Sequence, residues 1–314
     1  MTPYGILENT GFETLDPRFS ACLVHCERVE RLWTGGRWCE GPAWFAAHRT
    51  LVWSDIPNNR MLRYDETNGT VGIFRQPANN ANGNTVDREG RLITCEHLTR
   101  RVVRVEHNGA QAILADRWQG KRLNSPNDVV VRSDRSIWFT DPSYGILSDY
   151  EGQRAESEIG ACNVYRIDPV SGAVDLMADD FVKPNGLAFS PDESILYIAD
   201  TGASHDINGP RHIRAMRVAA DGQRLVASGE AQTVFAQCTN GLFDGFRVDQ
   251  QGRLWASAAD GVHAYASDGT LLGKIRIPEV VANVCFGGEK RNRLYICGTS
   301  SLYAVYLNSS GMPA

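Results

Sequence analysis

The sequence has no long apolar run, no basic block and few cysteines. Nowhere do about 18 consecutive apolar residues occur in its 314 positions, so no membrane-spanning helix is predicted. The 32 basic and 37 acidic residues give a net charge of −5, which argues against nucleic acid or an anionic membrane as the main partner. Eight cysteines are too few for a disulfide scaffold and are expected as reduced thiols. The N-terminus lacks the basic and apolar regions of a secretory signal, so a cytoplasmic location is expected.

Several catalytic motifs are absent as well. No two glycines are separated by a single residue, which excludes a GxGxxG dinucleotide fingerprint. The sequence contains neither a GxSxG nucleophile elbow nor an HExxH metalloprotease motif. Dinucleotide-dependent enzymes, α/β-hydrolases and zincins are therefore not predicted.

What is present is a repeat that occurs six times. Each unit is a short apolar strand, a tight polar turn and a second apolar or aromatic strand, and further strands follow. The repeats start 39 to 59 residues apart, at Glu40, Asn82, Asn127, Asn185, Asp244 and Asn283. Four antiparallel strands per unit, six times over, predict an all-β protein with the fold of a six-bladed β-propeller.

The last repeat ends after three strands. The segment VERLWTG at residues 29–35 precedes the first repeat and can supply the missing fourth strand. Closing the ring in this way protects sheet edges that would otherwise be exposed. We therefore predict an N-terminal extension over residues 1–28 and a single propeller domain over residues 29–314, with the last blade closed by an N-terminal strand.

The first residue of every repeat carries a side-chain oxygen. Because the innermost strand of a blade lines the central channel, these six side chains should surround one mouth of it. Asn and Asp also occur at such positions simply as caps of local backbone groups, but Glu40 is a poor turn residue. Oxygen donors from different blades suit a hard divalent cation, with Ca²⁺ first and Mg²⁺, Mn²⁺ or Zn²⁺ as alternatives.

A second series of acids is predicted on the same face. The position 14 or 15 residues after each repeat start is acidic in the first four units, and Ala258 and Gly298 replace the acid in the last two. These acids are Asp55, Glu96, Asp141 and Asp200. They can orient ligands or move protons, or they can cap strand ends. His97 and His205 stand beside the series as candidates for substrate binding or proton transfer, or as ordinary loop residues.

The ordered set of motifs resembles the family of SMP-30 (regucalcin), gluconolactonase and luciferin-regenerating enzyme, in its bacterial gluconolactonase form. The resemblance rests on EGPAW from Glu40, NSPND ending at Asp128, TDPSYG from Thr140, KPNGL around Asn185 and the pair Asp244-Gly. It extends from about residue 29 to residue 307.

The resemblance implies a divalent ion at the channel mouth held by Glu40, Asn185 and Asp244. Asn127 would be a further metal ligand or a substrate contact, and the roles of the remaining two Asn residues of the series stay open. Regucalcin has an Arg two residues before the third-blade Asn, where this chain has Ser125, so its sugar contacts are not expected to carry over.

Together with the polar residues at the mouth, the resemblance implies a metal-dependent hydrolase that opens an aldonolactone, such as glucono-δ-lactone, to its acid. The ion would polarise the carbonyl, and Asp244, Asp200 or Asp141 would accept the proton of the attacking water. Asn127, Glu96 and His97 are the predicted substrate-binding residues. An attack by an Asp carboxylate, which gives a covalent intermediate, is the mechanistic alternative.

Two other functions remain open at this point. One keeps the site and changes the substrate to an organophosphate or another ester. The other is a non-catalytic, calcium-stabilised propeller that binds a partner, because propellers carry many functions. The oligomeric state is not predicted.

Overall fold

Short apolar runs separated by tight turns form almost all the regular structure. A computed structural model describes residues 4–7, 10–226 and 232–312, and within these ranges the chain forms 28 β-strands and three short helices. The helices are two 3-10 helices, Pro17–Cys22 and Gly202–Ser204, and one α-helix, Tyr144–Leu147. None of the helices in these ranges is long and apolar enough to cross a bilayer.

The strands follow the predicted repeats. Three precede the first repeat: β1 (Gly5–Ile6), β2 (Phe12–Thr14) and β3 (Glu30–Thr34). Blade 1 contains β4 (Cys39–Phe45), β5 (Thr50–Asp55), β6 (Arg60–Asp65) and β7 (Thr70–Arg75). Blade 2 contains β8 (Ala81–Val86), β9 (Leu92–Glu96), β10 (Arg101–Val105) and β11 (Gln111–Ala115). A separate hairpin, β12 (Arg117–Trp118) and β13 (Lys121–Arg122), follows.

The other four blades are built in the same way. Blade 3 contains β14 (Val129–Val131), β15 (Ile137–Asp141), β16 (Cys162–Ile167) and β17 (Val174–Phe181). Blade 4 contains β18 (Pro184–Phe189), β19 (Ile195–Asp200), β20 (His212–Arg217) and β21 (Gln232–Gln237). Blade 5 contains β22 (Phe246–Val248), β23 (Leu254–Ala258), β24 (Gly261–Tyr265) and β25 (Leu271–Arg276). Blade 6 contains β26 (Val281–Gly287), β27 (Arg293–Gly298) and β28 (Ser301–Tyr306). The prediction of an all-β, six-bladed propeller is confirmed.

The N-terminal strand β3 completes blade 6. It pairs antiparallel with β28, with Thr34 opposite Ser301 and Trp33 opposite Leu302. Strand β1 then adds to the outer edge of β3. The predicted closure of the last blade by an N-terminal strand is therefore confirmed, and the ring is held together by backbone hydrogen bonds between distant parts of the chain.

The turns inside the blades are set by Asp side chains. In blade 2, Asp87 Oδ1 accepts hydrogen bonds from the backbone N–H groups of Glu89 and Arg91, both at 2.9 Å. In blade 5, Asp249 Oδ1 accepts the equivalent two bonds. An Asp that bonds the backbone two and four residues later fixes a tight turn, which explains why the DREG and DQQG segments end the inner strands.

The apolar core lies between neighbouring blades. Trp44 of blade 1 stacks on Tyr295 of blade 6 with ring centroids 5.4 Å apart. Three tryptophans are fully buried: Trp53, Trp138 and Trp255. Because each blade contributes to the clusters on both of its sides, the rim of each sheet is positioned by its two neighbours.

Residues before β3 also pack on the propeller. Strand β2 adds to blade 5 by pairing with β25. The following 3-10 helix places Phe19, which is fully buried, with its ring 6.4 Å from that of Trp255. A Cβ at Gly273 would lie 2.4 Å from the Phe19 ring, so the glycine permits this contact. The boundary at residue 28 stays a prediction.

Replacing Phe19 with Ala tests whether this segment is part of the core. We expect a loss of about 3–5 kcal/mol in the free energy of unfolding, because the substitution empties a fully buried site. Urea denaturation measures this loss. Leu15→Ala is the control, because Leu15 is half exposed in the same segment and its loss should change stability little. Equal stability of the two variants would show that the segment is only loosely attached.

Candidate active site

The six polar residues that begin the repeats surround one mouth of the channel. Each lies in the innermost strand of its blade or two residues before it. Glu40, Asn82, Asn127, Asn185 and Asn283 are buried, and Asp244 is partly buried. Asn82, Asn127, Asn185 and Asp244 line one cavity of about 330 Å³, which is in the size range of small-molecule sites.

Neighbouring innermost strands approach each other very closely at this mouth. Gly83 N–H donates to the carbonyl oxygen of Asn127 at 2.7 Å, and Gly186 N–H donates to that of Asp244 at 3.1 Å. A Cβ at Gly83 would lie 2.4 Å from the Asn127 oxygen, and one at Gly186 would lie 2.2 Å from the Asp244 oxygen. Only glycine, which has no Cβ, fits such a backbone contact. The glycine that follows the polar residue therefore allows the two innermost strands to come this close.

Three amide oxygens at the mouth have no hydrogen-bond donor among the described residues. They are the Oδ1 atoms of Asn82, Asn127 and Asn185, and all three are buried. An unsatisfied buried polar atom costs about 1–3 kcal/mol, and native proteins rarely leave several in one place without a ligand. Three such oxygens beside the carboxylate of Asp244 are therefore suited to hold a cation.

The carboxyl groups at the mouth repel one another. Burial raises the pKa of Glu40 well above its usual value, and the charges of Asp244 and Asp128 raise it further. Burial, followed by the charges of Asp128 and Glu151, raises the pKa of Asp244 to about 8. The donor set is thus two carboxylates with amide oxygens around them, a composition suited to a hard divalent ion. Within the described ranges, no three His, Cys, Asp or Glu side chains form a metal cluster.

The amide of Asn82 is oriented by His97. Asn82 Nδ2 lies 3.1 Å from His97 Nε2, and His97 Nδ1 lies 3.1 Å from the carbonyl oxygen of Glu151. The ring therefore donates from Nδ1 and accepts at Nε2, which makes it the neutral form. Burial lowers the pKa of His97 to about 4, in agreement with this assignment. With its NH₂ group turned to His97, Asn82 presents its oxygen to the cavity.

Asn283 has the opposite orientation. Its Nδ2 donates to Glu40 Oε1 at 3.3 Å, and its Oδ1 accepts the Val284 N–H at 2.8 Å. Its oxygen is therefore already used, and the side chain acts as a donor that positions the Glu40 carboxylate. The two Asn residues whose roles the sequence left open thus differ: one offers an oxygen to the cavity and one does not.

Comparison with known proteins identifies the family of this chain. The model of the SMP-30/Gluconolactonase/LRE-like region matches residues 38–300. The chain belongs to this family.

Its relatives include several lactonases. The chain is 32% identical to a gluconolactonase of Zymomonas mobilis, over 94% of this chain and 85% of that one. It is 31% identical to a pentonolactonase of Haloferax volcanii, over 84% of this chain and 82% of that one. Among solved structures, it is similar to a gluconolactonase from Xanthomonas campestris with a TM-score of 0.89 and 39% identity, covering 97% of each chain. The resemblance predicted from the sequence motifs to the SMP-30/Gluconolactonase/LRE-like family is confirmed.

In the structure, the acids of the second series lie beneath the loops at the mouth and not in the cavity. Asp141 accepts the backbone N–H groups of Asn124 and Ser125, each at 2.8 Å, on its two oxygens. Asp200 accepts those of Val182 and Lys183, each at 2.9 Å. Neither side chain lines the cavity. With both oxygens engaged, these acids hold the loops in place, and the geometry does not favour the catalytic roles predicted for them.

Glu96 and Asp55 have the same kind of environment. Glu96 accepts from Arg101 Nε at 2.8 Å and from Thr99 Oγ1 at 2.6 Å, and its side chain is fully buried. Asp55 accepts from Arg60 Nε at 2.9 Å. The predicted contact of Glu96 with substrate is therefore not favoured by the geometry.

Several residues at the site were not found from the sequence. Asp128 is a buried acid below the mouth, and Arg247 lies 3.7 Å from its Oδ2. Glu151, Tyr144 and Thr201 line the cavity, and the Tyr144 hydroxyl lies 2.6 Å from Thr201 Oγ1. A signal for Asp128 existed: in the repeats starting at Glu40, Asn82, Asn185 and Asp244 the next residue is glycine, whereas Asn127 is followed by this Asp.

The glycine contacts between blades can be tested with Gly83→Ala. The added methyl group would overlap the backbone of the next blade, so we expect a loss of about 1–3 kcal/mol in stability. Urea unfolding measures it. The matched control is Gly72→Ala, where a Cβ has no atom within 4 Å and stability should be unchanged or slightly higher. Similar losses in both variants would contradict the close approach of the inner strands.

Proposed function

We propose that this protein hydrolyses a sugar lactone to the open acid, with the reaction at the channel mouth. The observation that carries the proposal is the group of buried, unpartnered oxygens of Asn82, Asn127 and Asn185, which share one cavity with Asp244. Relatives named gluconolactonase and pentonolactonase support the substrate class.

We further propose that a divalent cation, Ca²⁺ first, binds at this mouth. Glu40, Asn185 and Asp244 would hold it, as the family resemblance implies, with Asn127 as a further ligand. The unpartnered Oδ1 atom of Asn82 makes that residue a candidate for the same role. The preference for Ca²⁺ over Zn²⁺ rests on the donors, which are all oxygens. When bound, such an ion supplies Lewis-acid polarisation of the lactone carbonyl.

Asp244 is the side chain best placed to accept the proton of an attacking water. It lines the cavity, and no backbone amide occupies its carboxylate in the way that Asp141 and Asp200 are occupied. The hydroxyls of Tyr144, Thr201 and Ser204 would hold the hydroxyl groups of the substrate.

Proton release from a panel of aldonolactones tests the function. We expect hydrolysis of at least one sugar lactone with added Ca²⁺, its loss after EDTA, and its return when metal is restored. Release measured with a pH indicator at each stage gives the rate. Failure to hydrolyse any lactone with Ca²⁺, Mg²⁺, Mn²⁺ or Zn²⁺ would contradict the proposal. Turnover of phosphoesters instead would indicate an organophosphate hydrolase, and bound calcium without turnover of any ester would indicate a binding module.

Glu40→Gln tests the metal site directly. Removing one charge from a two-carboxylate donor set should weaken the affinity for Ca²⁺ by about tenfold or more, with a parallel loss of activity at limiting metal. Isothermal titration measures the affinity and the lactone assay measures the activity. Glu89→Gln, the same change at a half-exposed position, is the control and should alter neither. Unchanged affinity and activity in the Glu40 variant would remove this residue from the proposed ligands.

A further inference from the structure

The cavity has two chemically different halves. The half formed by blades 3 and 4 carries polar groups: Tyr144, Glu151, Thr201 and Ser204. Apart from Asp244 at the mouth, the half formed by blades 5, 6 and 1 is apolar: Leu242, Ala259, Val280, Val281, Trp38 and Ile56. Because the blades form a closed ring, these three blades are adjacent, and their side chains make one continuous wall above the polar mouth.

The two halves of the cavity have the same backbone arrangement and differ in their side chains. In five of the six blades the residue after the second strand donates a backbone hydrogen bond to the loop that precedes the first strand, and Pro142 stands at this position in blade 3. Thr201 N–H donates to Lys183 O at 3.0 Å, and Ile56 N–H donates to Trp38 O at 3.2 Å. The same backbone position therefore carries the hydroxyl group of Thr201 in blade 4 and the sec-butyl side chain of Ile56 in blade 1. The apolar wall results from the residues at these positions and not from a different backbone.

A fully hydroxylated lactone fits only one of these halves. Its hydroxyl groups lie all around the ring, and those turned to blades 5, 6 and 1 would lose water without gaining a hydrogen bond. Burying a polar group in this way is unfavourable, whereas burying an apolar group there is favourable. The wall also leaves apolar surface open to solvent, since Val280 is 41% exposed.

We infer that the substrate is an amphipathic lactone: its hydroxyl-bearing edge faces blades 3 and 4, and an apolar substituent contacts the wall formed by Leu242, Val280 and Trp38. This inference rests on the proposed lactonase function and specifies its substrate class. Leu242 and Val280 are then specificity-determining residues, because they contact the substituent and not the reacting carbonyl.

The test compares lactones that differ only in the substituent. We expect kcat/KM for δ-decalactone to exceed that for δ-valerolactone by about tenfold or more, since a pentyl chain adds several buried CH₂ groups. Binding is measured separately with the unreactive lactams piperidin-2-one and 6-pentylpiperidin-2-one, and the pentyl lactam should bind about tenfold or more tightly. D-Glucono-1,5-lactone is included to establish that the enzyme is active.

Two variants assign the effect to the wall. We call the kcat/KM of δ-decalactone over that of δ-valerolactone, and the affinity of the pentyl lactam over that of piperidin-2-one, the two pentyl ratios. Leu242→Asn should bring both pentyl ratios close to one. Val280→Thr is a nearly isosteric change at an exposed position, with little risk to folding, and should lower both ratios severalfold. Ile113→Asn introduces the same kind of polarity on an outer strand of blade 2 and should leave both ratios unchanged.

The outcomes separate this inference from the proposed function. Hydrolysis of gluconolactone with pentyl ratios of one or below in the wild-type protein would overturn the inference and leave the lactonase function intact. Ratios that persist in both wall variants would also overturn it. No turnover of these three lactones or of any aldonolactone in the panel, with any of the four cations, would overturn the proposed function and this inference with it.

Discussion

The close contact between the innermost strands is the constraint on which the site depends. At Gly83 and Gly186 the backbone of one blade donates directly to the carbonyl of a polar residue on the next. These contacts hold blade 2 against blade 3 and blade 4 against blade 5, so that single side chains can meet at the mouth. They use the backbone carbonyl groups of Asn127 and Asp244, whose side chains line the cavity.

The donor atoms are made available at a cost in stability. Buried amide oxygens and mutually repelling carboxyl groups disfavour the folded state unless a ligand compensates them. The apolar core between every pair of neighbouring blades offsets this cost. Acids therefore have different roles within a short distance: Asp141 and Glu96 hold the loops of the mouth through hydrogen bonds, and others face the cavity.

Much of the fold could be predicted from the sequence, because a propeller repeats its pattern. The period, the turn residues and the incomplete last repeat were enough to place the blades and the closing strand. The polar residue at each repeat start was also visible, since its position relative to the strand is fixed. The roles of Asp141 and Asp200 could not be read in this way. Whether a strand-end acid faces the cavity or turns to the backbone depends on the loop that crosses it. The sequence carries no period for such loops, and Glu151 and Tyr144 were missed for the same reason.

The closing strand has a consequence for how the protein is made. Strand β3 lies near residue 30, and its partner β28 begins at Ser301, so the ring cannot close until synthesis has passed this strand, about 270 residues later. Chains fold largely in order of synthesis, and contacts between distant segments form last. The hydrogen bond from Asn283 of blade 6 to Glu40 of blade 1 also depends on this closure. During translation, blades 1 to 5 with their oxygen donors can therefore form while the mouth is still open, and Asn283 reaches the Glu40 carboxylate only in the final step of folding.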